Sequence, residues 1–544
     1  PSAFMLVHIG SLIFLWGIVL SRLKIFKLLI ERWDEVLIFT VLVVLALFVR
    51  LYQVEKVTPG IYGDEVTVAS RSLDLLKNPD WPPFVSPYSH PTPLMYLTGV
   101  SVKTFGHTIT AIRLPSILFD SFTVGIFFIL LRLFFPLKVA VMGSILMIFA
   151  YTQIVLARLA YEPPASLFFQ VLTVIFLTLY WKTKDKVLLI GIGLSLGFGL
   201  YTYLNFRAFA ALVFLITIIF IARTLKKNYL KDIGIFVGSF FAGSAALLSY
   251  IFIDPHGFWL RASEISIFSR NYPAMEFIKE LGGNIVRTAA IPFIGDPNAG
   301  KNPSDVSLFD PITITLAIIG LMYLFKKQRI LFWISLIFLI PPFISDIFST
   351  EVIPEFHYYG LGHPNALRVS GLIAVILFLA VWGIQWIWNL WKAEKYGVAT
   401  AIIIVIFVSV WNYHLYFNQK SINPTYYGYN YLVNHQDVFE GITYINKSPA
   451  GVISVTKNLN ALEMTPFFID KSKKISSFNP DSSQAILKAV RLSGITMVDV
   501  TDEIVPILNE LSSETLSKEG YSIRIINDPI VNKPRVALFE KIKP

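Results

Sequence analysis

The chain contains no cysteine among its 544 residues, which excludes disulfides and thiolate metal sites. Charged residues make up only 15% of it, and the mean hydropathy is +0.62. Both values lie outside the range of soluble globular proteins. There is no internal repeat and no low-complexity tract. No Gly-rich phosphate loop opens a helix in the C-terminal region, which argues against a nucleotide site there. What the chain does have is apolar length: 55% of it is hydrophobic, in long stretches that recur along most of the sequence, the pattern of a polytopic membrane protein. The formal charge of +10 does not imply nucleic acid, because the basic residues fall in short clusters between apolar segments.

A window of about 19 residues gives roughly twelve candidate spans. They lie near 4–20, 35–53, 113–131, 137–155, 164–181, 187–204, 208–222, 233–253, 311–325, 330–348, 371–390 and 398–416. The first of them, from Phe4 to Leu20, lacks a basic flank and a small-residue cleavage site and reads as a retained helix. The chain opens with Pro1 rather than Met, as an incomplete N-terminus would. The loops alternate in charge. Clusters such as Arg22/Lys24/Lys27/Arg32, Lys182/Lys184/Lys186 and Lys326/Lys327/Arg329 fall on one side, which the positive-inside rule makes cytoplasmic. The long loops 54–112, 254–310 and 349–370, and everything after about 417, then lie outside. This requires the short apolar stretch from Pro93 to Phe105 to run along the outer surface as a helix instead of crossing. From Ser421 onward, β-rich runs at 452–456, 495–500, 522–526 and 535–539 alternate with helical stretches near 436–447, 482–492 and 503–518. The expected organisation is a membrane domain over 1–420, with a catalytic outer loop at 54–112, and a small soluble α/β domain over 421–544.

Acidic side chains are expensive near hydrocarbon, so two adjacent carboxylates just beyond a span are candidates for function. Such a pair stands in Pro59-Gly60-Ile61-Tyr62-Gly63-Asp64-Glu65, and a carboxylate there suits general-base work on a hydroxyl. Other polar groups share that depth at the outer ends of the spans: His90, Arg113, Arg158, Glu162, Tyr201, Tyr203, Asn205, Arg207, Asp254, His256, Arg261, His357, His363 and Arg368. A cleft lined by acids, histidines and arginines at a bilayer surface fits a substrate with an anionic head and a lipid tail. Structural readings stand beside the functional ones. The arginines can snorkel at an interface, and Tyr201 and Tyr203 can be belt aromatics. Asp64-Glu65 can cap a helix starting at Val66. His357 and His363 have no compact metal-binding spacing. Asp120, inside the third expected span, should have an intramembrane partner.

The acid pair, together with His90-Pro91-Thr92-Pro93-Leu94-Met95-Tyr96-Leu97 and Ala111-Ile112-Arg113-Leu114-Pro115-Ser116, resembles the GT-C fold glycosyltransferases. The group it is similar to comprises the protein O-mannosyltransferases (the dolichyl-phosphate-mannose-protein mannosyltransferase family) and the lipid A aminoarabinose transferases. Looser matches follow at 157–162, 199–203 and 364–368, so the resemblance covers roughly 35–390. It implies a sugar donor carried on a polyprenyl phosphate. The catalytic acid falls on Asp64 with Glu65 beside it, and Glu162 is a second acid. Contacts to the donor phosphate fall on Arg113, Arg158, Arg261, Arg368 and Tyr203, with His90 and His363 lining the site. Thr92 interrupts the usual consecutive prolines, and Glu162 stands where Asp is commoner. Some relatives carry a divalent metal, for which His90 is a placeable ligand; no cofactor is certain.

The reaction this implies is direct displacement at the anomeric carbon with inversion, by an integral-membrane transferase of the cell envelope acting on its outer face. Its partners are the polyprenyl-phosphate sugar, a protein, glycan or lipid acceptor and the membrane lipids, with no nucleic acid. An oligosaccharide transferase of the same fold is the nearest alternative. A transporter would place its polar groups at mid-membrane, often with repeat symmetry. A non-catalytic lipid-binding protein has no need of the acid pair.

Overall fold

The computed structural model describes residues 16–17, 32–57, 60–78, 81–85, 90–224, 229–294, 306–349, 364–391, 393–420, 436–462, 464–511, 513–518, 520–527 and 533–542. The expected span at 4–20, apart from residues 16–17, and His357 and His363 lie outside this set. The chain divides into two compact units. The first comprises Pro1–Tyr52, Leu75–Thr98 and Arg113–Lys420, and the second comprises Gln53–Asp74, Gly99–Ile112 and Ser421–Pro544.

The first unit is helical, and the protein is a multi-pass membrane protein. Every expected span from 35 onward falls on a helix, but not each of these is long and apolar enough to cross. Among the described residues, seven helices are long and apolar enough to cross a membrane, or eight if the bent pair Leu137–Phe149 and Tyr151–Ala157 counts as one span. The shortfall has physical causes. Trp33–Leu51 carries Asp34, Glu35 and Arg50 within its 19 residues. Val187–Gly199 has only 13 residues, about 20 Å of helix, and Pro311–Lys327 has 17. Pro93–Phe105 is a helix of 13 residues, too short to cross by itself.

Small residues let these helices approach closely, as membrane packing favours. An added Cβ on Gly320 would lie 1.9 Å from the Leu379 carbonyl oxygen, and one on Gly383 would lie 2.1 Å from that of Leu316. Pro115 sits inside the helix Ile109–Arg132 and so cannot bond the Ala111 carbonyl four residues back; the Ser101 hydroxyl donates to that carbonyl instead, at 2.6 Å.

In the second unit, strands β1 (Val452–Thr456), β2 (Lys474–Phe478), β3 (Ile495–Asp499), β4 (Tyr521–Asn527) and β5 (Pro534–Lys541) form one sheet in the order β2-β1-β3-β5-β4. β1 runs parallel to β2 and β3, whereas β5 is antiparallel to β3 and β4. One face is covered by the helices Ser483–Leu492 and Ile504–Glu510, whose Ile486, Val490 and Ile504 join Val498, Ala537 and Phe539 in a core. The α/β character expected of 421–544 is present, and β2 is an additional strand.

Candidate functional site

In the second unit, the acid pair sits in the first turn of the helix Gly63–Lys77, three residues earlier than the start expected at Val66. Gly60 precedes it with φ of 80°, a left-handed conformation that glycine adopts without strain. This shift separates the two acids. Glu65 is fully buried, and its Oε2 accepts the Tyr62 backbone N–H at 3.1 Å, the reach-back half of a capping box. Asp64, one residue earlier, is exposed. The two acids therefore differ, with the cap on Glu65 and the accessible carboxylate on Asp64.

In the first unit, the 81–96 stretch is folded around Pro82. His90 pairs with Val85 across a two-residue antiparallel ladder. The Thr92 hydroxyl donates to the Pro82 carbonyl at 2.6 Å, and the Tyr96 hydroxyl donates to the same oxygen at 3.0 Å. The threonine that interrupts the proline pair thus supplies a donor no proline could. The Ser116 hydroxyl, at the end of the Arg-Leu-Pro-Ser stretch, donates to the Tyr161 carbonyl at 2.9 Å and ties that motif to the segment carrying Arg158 and Glu162.

Two buried charge clusters lie in this unit. The first is built around Arg50, which the sequence reading missed because it looks like an ordinary basic residue ending a span. Arg50 and Asp120 are both fully buried and pair at 2.6 Å, and the Gln153 amide donates to the other Asp120 oxygen. The remaining guanidinium nitrogens of Arg50 donate to the carbonyls of Ile148 at 2.7 Å and Met147 at 3.4 Å. These carbonyls end the helix Leu137–Phe149, where the span bends by 58°. A helix end in an apolar medium leaves its last carbonyls without partners, and Arg50 supplies them, with Asp120 balancing its charge. The partner expected for Asp120 is therefore Arg50, and its role is to brace the bend.

Arg158 caps the far end of the bent segment and is almost fully buried. Its Nη1 donates to the carbonyls of Arg50 at 3.1 Å and Tyr52 at 2.7 Å, and its guanidinium lies over the rings of Tyr416 and Phe417. Burial lowers its pKa from the ordinary value; Tyr416 opposes the shift, and the charges of Arg113 and Arg50 add to it. Arg50, Arg113 and Arg158 thus lie near enough for their charges to act on one another.

The second cluster brings together Glu162, Tyr203, Arg261, Asp346 and Arg368. Burial raises the pKa of the Tyr203 phenol, Arg368 and Arg261 pull it down, and Glu162 and Asp346 push it up. Arg368 is buried, donates to the Ser349 hydroxyl at 2.5 Å and faces Asp346 at 3.8 Å. Asn205 braces the same loop, donating to the Arg368 carbonyl at 3.2 Å and the Ser370 hydroxyl at 2.9 Å. Arg261 also pairs with Glu264 at 3.1 Å. Tyr201, read as a belt aromatic, is buried, and its hydroxyl accepts the Leu247 N–H at 3.0 Å. Also in this unit, an apolar cavity of about 370 Å³ opens between helices, with Val171, Phe209, Phe338, Phe378, Gln170 and Gly371 among the residues that line it.

Among the described residues, no group of three or more His, Asp or Glu side chains could hold a metal ion. Of the two histidines expected to line the site, His90 is placed by its backbone pairing and His363 is outside the described residues.

Comparison with known proteins bears on this arrangement. No curated protein matches the sequence. The fold is similar to that of ArnT from Cupriavidus metallidurans in the apo state, with 11% identity, a TM-score of 0.48, and coverage of 93% of this chain and 98% of that one. The same protein bound to undecaprenyl phosphate gives 13% identity and a TM-score of 0.48. The apo oligosaccharyltransferase of Archaeoglobus fulgidus gives 10% identity and a TM-score of 0.48, covering 87% of this chain and 70% of that one. Residues 89–253, which run from the His90 stretch through Arg113, Arg158, Glu162 and Tyr203, match a family model described as dolichyl-phosphate-mannose-protein mannosyltransferase. The similarity to this family is thus confined to residues 89–253 of the 544.

Proposed function

We propose that the protein transfers a sugar from a polyprenyl-phosphate donor to an acceptor hydroxyl or amine on the non-cytosolic face of a cell-envelope membrane, with inversion at the anomeric carbon. The observation that carries this reading is the division of the acid pair. Glu65 is buried and capped to Tyr62, which leaves Asp64 exposed in the first helical turn as the proton acceptor.

In this reaction, the acceptor oxygen or nitrogen attacks the anomeric carbon as Asp64 takes its proton, a general-base role. The bond from that carbon to the phosphate oxygen breaks on the opposite face, and the electron pair leaves with the polyprenyl phosphate. The leaving group is already activated by its phosphate, so no nucleotide is required. Arg368, Arg261 and Tyr203 at the second cluster, with Arg113 and Arg158 at the first, stabilise the charge that grows on the departing phosphate, and burial strengthens such contacts. Glu162 tempers the positive field around Tyr203. The apolar cavity beside Gly371 suits a stretch of isoprenoid chain. The family description, which names a dolichyl-phosphate-linked sugar, supports the same donor class. Glu65 is a positioning residue for the turn that carries Asp64.

The test is transfer from a radiolabelled polyprenyl-phosphate sugar by the purified full chain. Asp64→Asn is expected to reduce transfer by roughly 10²–10⁴-fold while membrane insertion and thermal midpoint stay unchanged. Wild-type rates in this variant would remove Asp64 from the base role.

A further inference from the structure

The helix Ala274–Ala290 is inside out for a surface helix in water. Its buried positions are polar, namely Asn284 and Thr288. Its exposed face is apolar: Met275 is 78% exposed, Ile278 63% and Val286 69%, with Ile285 between them. At 100° per residue, positions 275, 278, 282, 285, 286 and 289 fall within one third of the circumference, and none of them is polar. Glu276, Glu280 and Arg287 occupy the flank, where Arg287 pairs with Glu280 at 3.4 Å. A soluble helix packs its apolar stripe inward and turns its charges out, because removing apolar side chains from water is favourable. A helix that does the reverse is built for an apolar surrounding.

The flanking structure indicates which one. The helix follows the span Tyr229–Ile253, whose last residues Phe252 and Ile253 are 87% and 67% exposed. Phe293, just past its end, is exposed as well. With 17 residues that include two glutamates, a lysine and an arginine, it does not cross a bilayer. A helix of this kind lies in the boundary between headgroups and acyl chains.

We propose that Ala274–Ala290 is a monotopic lipid anchor, lying in the plane of the bilayer with its Met275–Ile278–Ile285–Val286 face in the outer acyl region. Its polar inner face holds the second charge cluster at that depth. The Asn284 amide donates to the carbonyls of Ile347 and Ser349 at 2.9 and 2.8 Å, and the Thr288 hydroxyl donates to Asp346 at 2.9 Å. Asp346 and Ser349 in turn hold Arg368. The helix thereby keeps Arg368 level with the phosphate of a membrane-resident lipid. That last consequence rests on the glycosyl-transfer reading, whereas the lipid contact itself does not.

Because the chain has no cysteine, single substitutions can be labelled without background. Met275→Cys, Ile278→Cys and Val286→Cys would be compared with Glu276→Cys, each carrying a bimane label on the full chain in phosphatidylcholine vesicles. Lipids brominated near the headgroup should quench the labels at 275, 278 and 286 at least twofold more than the label at 276. They should also quench more than lipids brominated near the chain terminus, and aqueous iodide should reach only 276. Equal iodide access at 276, 278 and 286 would overturn the proposal, as would stronger quenching from the chain terminus, which would mean a crossing helix. Neither readout depends on transferase activity, so a failure here is distinct from a failure of the proposed reaction.

Discussion

Two buried arginine–aspartate pairs among the described residues of the membrane unit differ in how closely their members meet. Arg50 and Asp120 meet at 2.6 Å, and the remaining Arg50 nitrogens and the second Asp120 oxygen are taken by helix-end carbonyls and Gln153. Arg368 and Asp346 face each other at 3.8 Å, with hydroxyl and amide partners around them. A saturated pair does structural work, here at a bent span whose carbonyls have no other source of donors. A looser pair can exchange partners, as a site that must grip and release a phosphate requires. Within one unit, burial alone therefore does not tell the two pairs apart, and the distance between their members does.

The largest expected effect falls on the saturated pair. Asp120→Ala strands a buried guanidinium and should destabilise the protein by about 3–5 kcal/mol, read as loss of folded protein in detergent. The double variant Arg50→Met/Asp120→Leu, which removes both charges, should recover part of that loss. A single variant as stable as wild type would break the comparison.

At the looser pair, Arg368→Ala leaves the buried Asp346 without its counter-charge and should cost stability as well, and in the protein that still folds transfer should fall by roughly 10²–10³-fold. The loss should appear in donor use more than in acceptor use, and Arg368→Lys should restore part of it. A fall confined to acceptor affinity would move Arg368 out of the phosphate site.

The smallest effect lies in the second unit and serves as a control on both pairs. His107 Nδ1 lies 2.7 Å from the Phe467 carbonyl oxygen, and burial lowers the pKa of His107 below its ordinary 6.5, with the hydrogen bond to Phe467 opposing. A lowered pKa means the folded state favours the neutral ring, so this contribution is complete above pH 6.5 and is lost as pH falls through the lowered value. Protection factors in 99–112, with the pH dependence of intrinsic exchange divided out, should fall between pH 7.5 and pH 5.5, and His107→Gln should abolish that fall. If protection is unchanged with pH in the wild type, the contact contributes nothing.

Much of this was legible in the sequence. The helices from 35 onward follow from apolar length, and the acid pair stood out because carboxylates are rare beside a span. The difference in burial between Asp64 and Glu65 was not legible, because it depends on the helix starting at Gly63 instead of Val66. The role of Arg50 was hidden because its partner is 70 residues away. The bend at Ala150 carries neither proline nor glycine, so 137–155 reads as one straight span. The strand Lys474–Phe478 pairs only with Val452–Thr456, at the edge of the sheet, and is largely exposed, so it lacks the buried alternation that marks its neighbours. The outward apolar face of Ala274–Ala290 is periodic in the sequence, yet periodicity alone cannot say whether such a face meets protein or lipid.

The most direct test of the account is to reconstitute the full chain in vesicles, supply a radiolabelled polyprenyl-phosphate sugar, and follow both the labelled product and the released polyprenyl phosphate. Wild type should produce the two in equal amounts, with inverted anomeric configuration, and Asp64→Asn should produce both roughly 10²–10⁴-fold more slowly. Equal turnover by the two proteins, or a product of retained configuration, would contradict a carboxylate at position 64 acting as the base of a single displacement.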